Sequence, residues 1–261
     1  MLDFKQLLGV MLKQKRKPLH ASLIAEAVIM LVTVLGFGFA MHWSVEGKIT
    51  TITAAAVIMF LDMIAYAIWA IYQAYRINRS QTWRVIPADS RIFLNANVLT
   101  TGMGIFWQWL LSWAMMLVYV LPVSRSLVRT ASFKSSIGDF SQTGGQMPGF
   151  LLELAVLGFF AAIELTYYWL LVTDLSGALV DHLPVGAKAA KTLKEFIELL
   201  LVILFSWISG HVWGNLADAF TQKADSIFMV LGMLIVEQII NCLLAGGAET
   251  WIFAKYTESQ K

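Results

Sequence analysis

Charge is what this sequence has least of: only 14% of its residues are Asp, Glu, Lys or Arg, against 58% hydrophobic. A soluble domain is nearer a quarter charged and half apolar, so the composition excludes that class and makes the bilayer the solvent. One cysteine, Cys242, excludes an internal disulfide and a cysteine metal cluster. A net charge of +2 is too small to suggest nucleic acid. His20, His42, His182 and His211 form no HExxH pair, and no carboxylate cluster stands at ligand spacing. The run GAKAAKT from Gly186 to Thr192 lacks the glycine before the lysine and the preceding strand of a phosphate-binding loop. Ser209 and His211 lie close in sequence, but without a GxSxG elbow they give an intramembrane hydrolase little support. The chain is read as non-catalytic, with no cofactor or metal of its own.

What is present is apolar length. Six runs, at about 19–42, 50–72, 98–121, 150–173, 195–213 and 227–248, approach the ~20 residues needed to cross the hydrocarbon. They lack the alternation of barrel strands, so they are expected to be helices, the fifth being the shortest. The first is too long for a signal-peptide core and is expected to remain as an anchor. Residues 1–17 set Phe4, Leu7, Leu8 and Met11 at helical spacing before Lys13, Lys15, Arg16, Lys17 and Pro18. That pattern predicts an in-plane amphipathic helix on the inner membrane surface. Fourteen of the nineteen Lys and Arg fall in the two tails and in 73–97 and 174–194. Those segments and both termini are therefore expected in the cytoplasm, as one multi-pass domain over 1–261 in the cell membrane. The opposite loop, 122–149, is rich in Gly and Ser and reads as irregular structure or short interfacial helices.

Within the spans, Asp62, Glu164 and Glu237 stand out, because a central carboxylate is expensive there and ordinarily faces the bundle interior. They are candidates for a cargo pathway, and equally for plain hydrogen bonding between helices. The small-residue patches Gly36-x-Gly38, Gly102-x-Gly104 and Ala245 to Ala248 allow close helix approach, within the bundle or at a dimer seam.

The polar stretch Gln73 to Asn97 separates the second and third spans, is broken at Pro87 and restarts after Asp89 and Ser90, both good N-caps. Its order of Thr82, Trp83, Arg84, Val85, Ile86, Pro87, Ser90, Arg91, Ile92 and Phe93 resembles the coupling loop of small six-span permease subunits of ATP-binding-cassette exporters. The resemblance covers the topology, with its motif evidence confined to this loop. It implies an all-α permease that pairs with itself or a related permease. It also implies separate ATP-binding subunits, carrying ATP and Mg, engaged through Thr82, Trp83, Arg84, Pro87, Ser90 and Phe93. Cargo would be an amphipathic or hydrophobic peptide, drug or lipid moved outward. A proton-coupled secondary transporter using the intramembrane acids is the alternative.

Overall fold

The computed structural model describes residues 3–40, 42, 44–80, 89–127, 147–184, 186–221 and 227–258. They form six helices: α1 (Phe4–Ala40), α2 (Val45–Arg79), α3 (Ser90–Leu127), α4 (Met147–Asp181), α5 (Ala187–Thr221) and α6 (Ile227–Glu258). Five of them, all but α5, are long and apolar enough among the described residues to cross a membrane. The chain is thus an all-helical, multi-pass membrane protein. Its surface agrees, since large side chains such as Ile24, Val32, Ile68, Val118 and Leu243 are more than half exposed.

The helices outrun the predicted spans. At ~1.5 Å per residue, helices of 35 residues are about 50 Å long against roughly 30 Å of hydrocarbon. Most of the excess lies at the end that carries both termini. There α2 continues to Arg79, α4 to Asp181 and α6 to Glu258. The loop expected over 174–194 shrinks to the turn between α4 and α5, where Pro184 and Gly186 act as breakers. Most of the Gly- and Ser-rich loop, 128–146, lies outside the described residues.

The N-terminal segment also differs from expectation. Residues 4–17 are not a separate element; α1 runs unbroken through Pro18. A mid-helix proline costs about 3 kcal/mol by removing one backbone bond. Burial of Leu7 and Met11, at 1% and 0% exposure, returns about 1.5–3 kcal/mol each where the helix end meets water. Of the apolar face predicted to lie on lipid, Leu7 and Met11 are instead packed in a cluster with Ile77, Phe93, Leu94 and Phe253, while Phe4 is exposed.

Helices α1, α2 and α3 pack mutually, α4 packs on α6, and α3 with α4 joins the two groups. Helix α5 leans on α4 and hardly touches the rest. The join is tight at Gly102, where a Cβ would meet Ile163 Cγ1 at 2.6 Å, and a Cβ on Gly246 would lie 3.1 Å from the Tyr167 ring. Those two glycines serve internal packing, whereas a Cβ on Gly36 or Gly247 would meet nothing within 4 Å. Down the α1–α3 layer the buried side chains come in four tiers. An apolar cluster around Leu7 and Phe93 is followed by two polar tiers, and then by Met30, Ala55, Met59 and Met116.

Candidate functional site: polar tiers within the bundle

The first polar tier lies where α2 ends and α3 begins. Asp89 caps α3, its carboxylate accepting from Arg91 N at 2.7 Å, and Ser90 opens the helix. Two turns on, the sequence NVLTT puts Asn97, Thr100 and Thr101 on one helical face, all at most 1% exposed. Lys15 of α1 reaches into this face. Its ammonium donates to Asn97 O at 2.9 Å, Asn97 Oδ1 at 2.7 Å, Thr100 Oγ1 at 2.9 Å and Thr101 Oγ1. Both threonine hydroxyls donate in turn to Asn97 O. Asn97 Nδ2 donates to Ala74 O at 2.8 Å and to Asn78 Oδ1 at 2.7 Å, so one amide side chain binds α1, α2 and α3 together. All the oxygens around the ammonium are neutral, so this is a dipolar cradle rather than an ion pair.

A second set of contacts begins one residue later, at Arg79 in the last turn of α2. Its guanidinium reaches Asp174 of α4 at 3.5 Å and lies over the Tyr75 ring at 4.8 Å from the centroid. Asp174 faces Glu249 of α6, which is fully buried. Ser176 donates to Glu198 of α5 at 3.2 Å, and Lys194 lies 3.7 Å from the same carboxylate. Both legs of the segment between α2 and α3 are therefore footed in polar contacts, one group to α1 and the other toward α4, α5 and α6.

The other polar tier is deeper. Gln108 of α3 donates from Nε2 to Glu26 Oε2 of α1 at 3.1 Å and to Asp62 Oδ2 of α2 at 2.6 Å. Ser112 Oγ donates to Glu26 Oε2 at 2.6 Å, and Ser22 Oγ lies 3.3 Å from Asp62 Oδ2. Glu26 and Gln108 are 0% and 1% exposed. On the other side of the bundle, Glu164 of α4 interacts with Asn241 and Glu237 of α6. Glu164 also lines a cavity of about 560 Å³ with Tyr168, Trp169, Phe205 and Gln238. Its walls are mostly apolar and come from α4, α5 and α6, the arrangement an amphipathic ligand would need.

Of the residues singled out in the sequence, Thr82, Trp83, Arg84 and Pro87 lie outside the described residues. Ser90 is half-buried, and Phe93 is 7% exposed inside the apolar cluster, so it supports the elbow from within rather than offering an outward anchor. Asp62 belongs to one deep cluster and Glu164 with Glu237 to the other, and the three do not converge. Sequence reasoning missed Lys15, Glu26, Gln108 and Glu249. Glu26 carried the same signal as Asp62, a lone acid in an apolar run; Lys15 was masked by its basic neighbours, and Glu249 lies one residue past the predicted sixth span. No family model, curated protein or solved structure matches this chain, so its function is argued from these residues and from the order of Thr82 to Phe93.

Proposed function

We propose that the chain is the transmembrane, non-catalytic subunit of an ATP-binding-cassette exporter in the cell membrane. On this reading both termini and the segment 80–89 face the cytoplasm, and separate ATP-binding subunits dock on that segment through Thr82, Trp83, Arg84 and Pro87. A second permease, identical or related, completes the translocator. The observation that carries the reading is the footing of the elbow: Asn78 and Arg79 on its first leg and Asn97 on its second bond to each other's helices and, by charge-assisted bonds, to α1 through Lys15 and to α4 through Asp174. A stiff input joined to both helix groups is what a mechanically driven permease needs. The cavity beside Glu164 offers an apolar body and a carboxyl group, which suits an amphipathic cargo with a cationic end.

The test is co-purification of the tagged chain from its native membrane, comparing wild type with a Trp83→Ala, Arg84→Ala pair at matched expression. Phe93 is left intact because its truncation would open the core. The expected result is an ATP-hydrolysing subunit that accompanies wild type and is lost from the variant. A wild-type preparation without such a subunit, moving cargo in vesicles on a proton gradient alone, would reject the proposal. That outcome would favour the secondary transporter, for which the Glu26–Asp62 cluster is the supporting observation.

A further inference from the structure

The deep cluster of α1, α2 and α3 does not balance in hydrogen bonds or in charge. Glu26 and Asp62 face each other closely enough for their carboxyl groups to interact directly. The described donors around them are the Gln108 amide and the Ser22 and Ser112 hydroxyls, and all are already directed at carboxyl oxygens. Two buried acceptors have no partner: Glu26 Oε1 and, on the neutral side chain between the acids, Gln108 Oε1. No Lys, Arg or His is bonded to the cluster among the described residues. Helix α1 contributes Glu26 and Ser22, α2 contributes Asp62 with Tyr66 one turn on, and α3 contributes Gln108 and Ser112, none of them cationic. Two facing carboxylates without a counter-charge cannot both stay ionised at this depth, where one isolated charge already costs ~2.5–3.5 kcal/mol on insertion scales.

We infer that Glu26 and Asp62 form a proton-binding site in which one proton is shared by the two carboxyl groups under the Gln108 amide. A single proton on the Glu26 carboxyl removes one of the two charges. It also supplies a donor for Asp62 or Gln108 Oε1, while Gln108 Nε2 and Ser22 Oγ stabilise the charge that remains on Asp62. A proton fits better than a metal cation because it needs no room: Glu26 and Ser112 are 0% exposed, and Ser112 Oγ is already 2.6 Å from Glu26 Oε2. Release of the proton would leave like charges on α1 and α2 across the single Gln108 amide. The inference stands whether or not an ATP-binding partner is found.

The test uses the full chain reconstituted in phosphatidylcholine vesicles. It follows the carbonyl stretch of protonated carboxyl groups by infrared difference spectroscopy from acid to alkaline pH. Wild type minus Glu26→Gln is expected to isolate one protonated carboxyl per chain. Asp62→Asn should shift the frequency and titration of that band, because the proton's acceptor changes. Ser112→Ala removes one hydrogen bond, keeps both acids, and should shift the band without abolishing it, which covers the case of a Glu26 variant that fails to fold. An unchanged band in Asp62→Asn and Ser112→Ala would overturn the shared site. Disappearance of the wild-type band when sodium replaces choline at fixed pH would assign the occupant as a metal cation and likewise overturn it.

Discussion

Replacing Asn97 and replacing Lys15 should differ sharply in cost, although the two side chains bond each other. Asn97→Leu removes the acceptor Oδ1 from the ammonium and the amide donor from Asn78 Oδ1 and Ala74 O. The bond to the ammonium is worth about 1.5–3 kcal/mol and the orphaned Asn78 about 1–3 kcal/mol, so the loss should be about 3–5 kcal/mol. Asn78 Nδ2 already lacks a partner, so that side chain would have no hydrogen bond left. Lys15→Met is another matter. Its ammonium has only neutral acceptors, so the bonds lost are largely offset by desolvation no longer suffered, both threonines keep Asn97 O as their acceptor, and the oxygen that loses its donor is Asn97 Oδ1. Its cost should lie at about 1–2 kcal/mol. The assay is unfolding of the bilayer-mimetic-solubilised chain by detergent denaturation, with the double variant closing a thermodynamic cycle. In the Lys15→Met background the Asn97→Leu penalty should shrink by about 1.5–3 kcal/mol, the share that came from the lost bond between the ammonium and Asn97 Oδ1. Additive penalties, or Lys15→Met as costly as Asn97→Leu, would refute the account of the cradle.

Three further outcomes are expected. Gly102→Ala forces Ile163 to move from a 2.6 Å contact and should cost about 1–3 kcal/mol, while Gly36→Ala meets nothing and should gain about 0.5–1 kcal/mol of helix stability in the same assay. Glu249→Gln replaces one of two facing carboxyl groups by a neutral amide that supplies a donor for Asp174, so stability should rise by about 1 kcal/mol; a fall would show that the carboxyl group itself is required there. Arg79→Ala removes a pair whose guanidinium side is 44% exposed, so stability should change by less than about 1 kcal/mol. If Arg79 passes motion from the elbow to α4, cargo transport per ATP hydrolysed should nevertheless fall severalfold, which flux and hydrolysis measured together would reveal.

Local signals were legible where a residue acts on its own segment. Asp89 as a cap, Pro184 and Gly186 as breakers and the apolar runs as helices all follow from chemistry within a few residues. The register of the bundle was not legible, because it depends on residues far apart in the chain. Lys15 looks like topogenic charge until Asn97 is known to face it, and Glu26 looks incidental until Gln108 does. Asp62, Glu164 and Glu237 were recognised by cost alone, which says that a partner must exist but not on which helix. Pro18 misled for the opposite reason: a local rule predicted a break, and distant packing of Leu7 and Met11 outweighed it. Helix lengths were underestimated because polar residues such as Asn78, Arg79 and Glu249, which end an apolar run, face neighbouring helices and need not end the helix.

Two of the bonds that hold α1 to α3 share one spacing: Lys15 to Asn97 and Glu26 to Gln108 are both separated by 82 residues. During synthesis at roughly 5–20 residues per second, α1 therefore waits about 4–16 s for its polar partners to be made. Through that interval the first span carries an ammonium and a carboxyl group that nothing in α1 satisfies. Its insertion is thus provisional until the third span arrives, and a ribosome that stalls between them leaves the N-terminal helix as the part of the nascent chain most open to slipping back or to capture by a membrane chaperone.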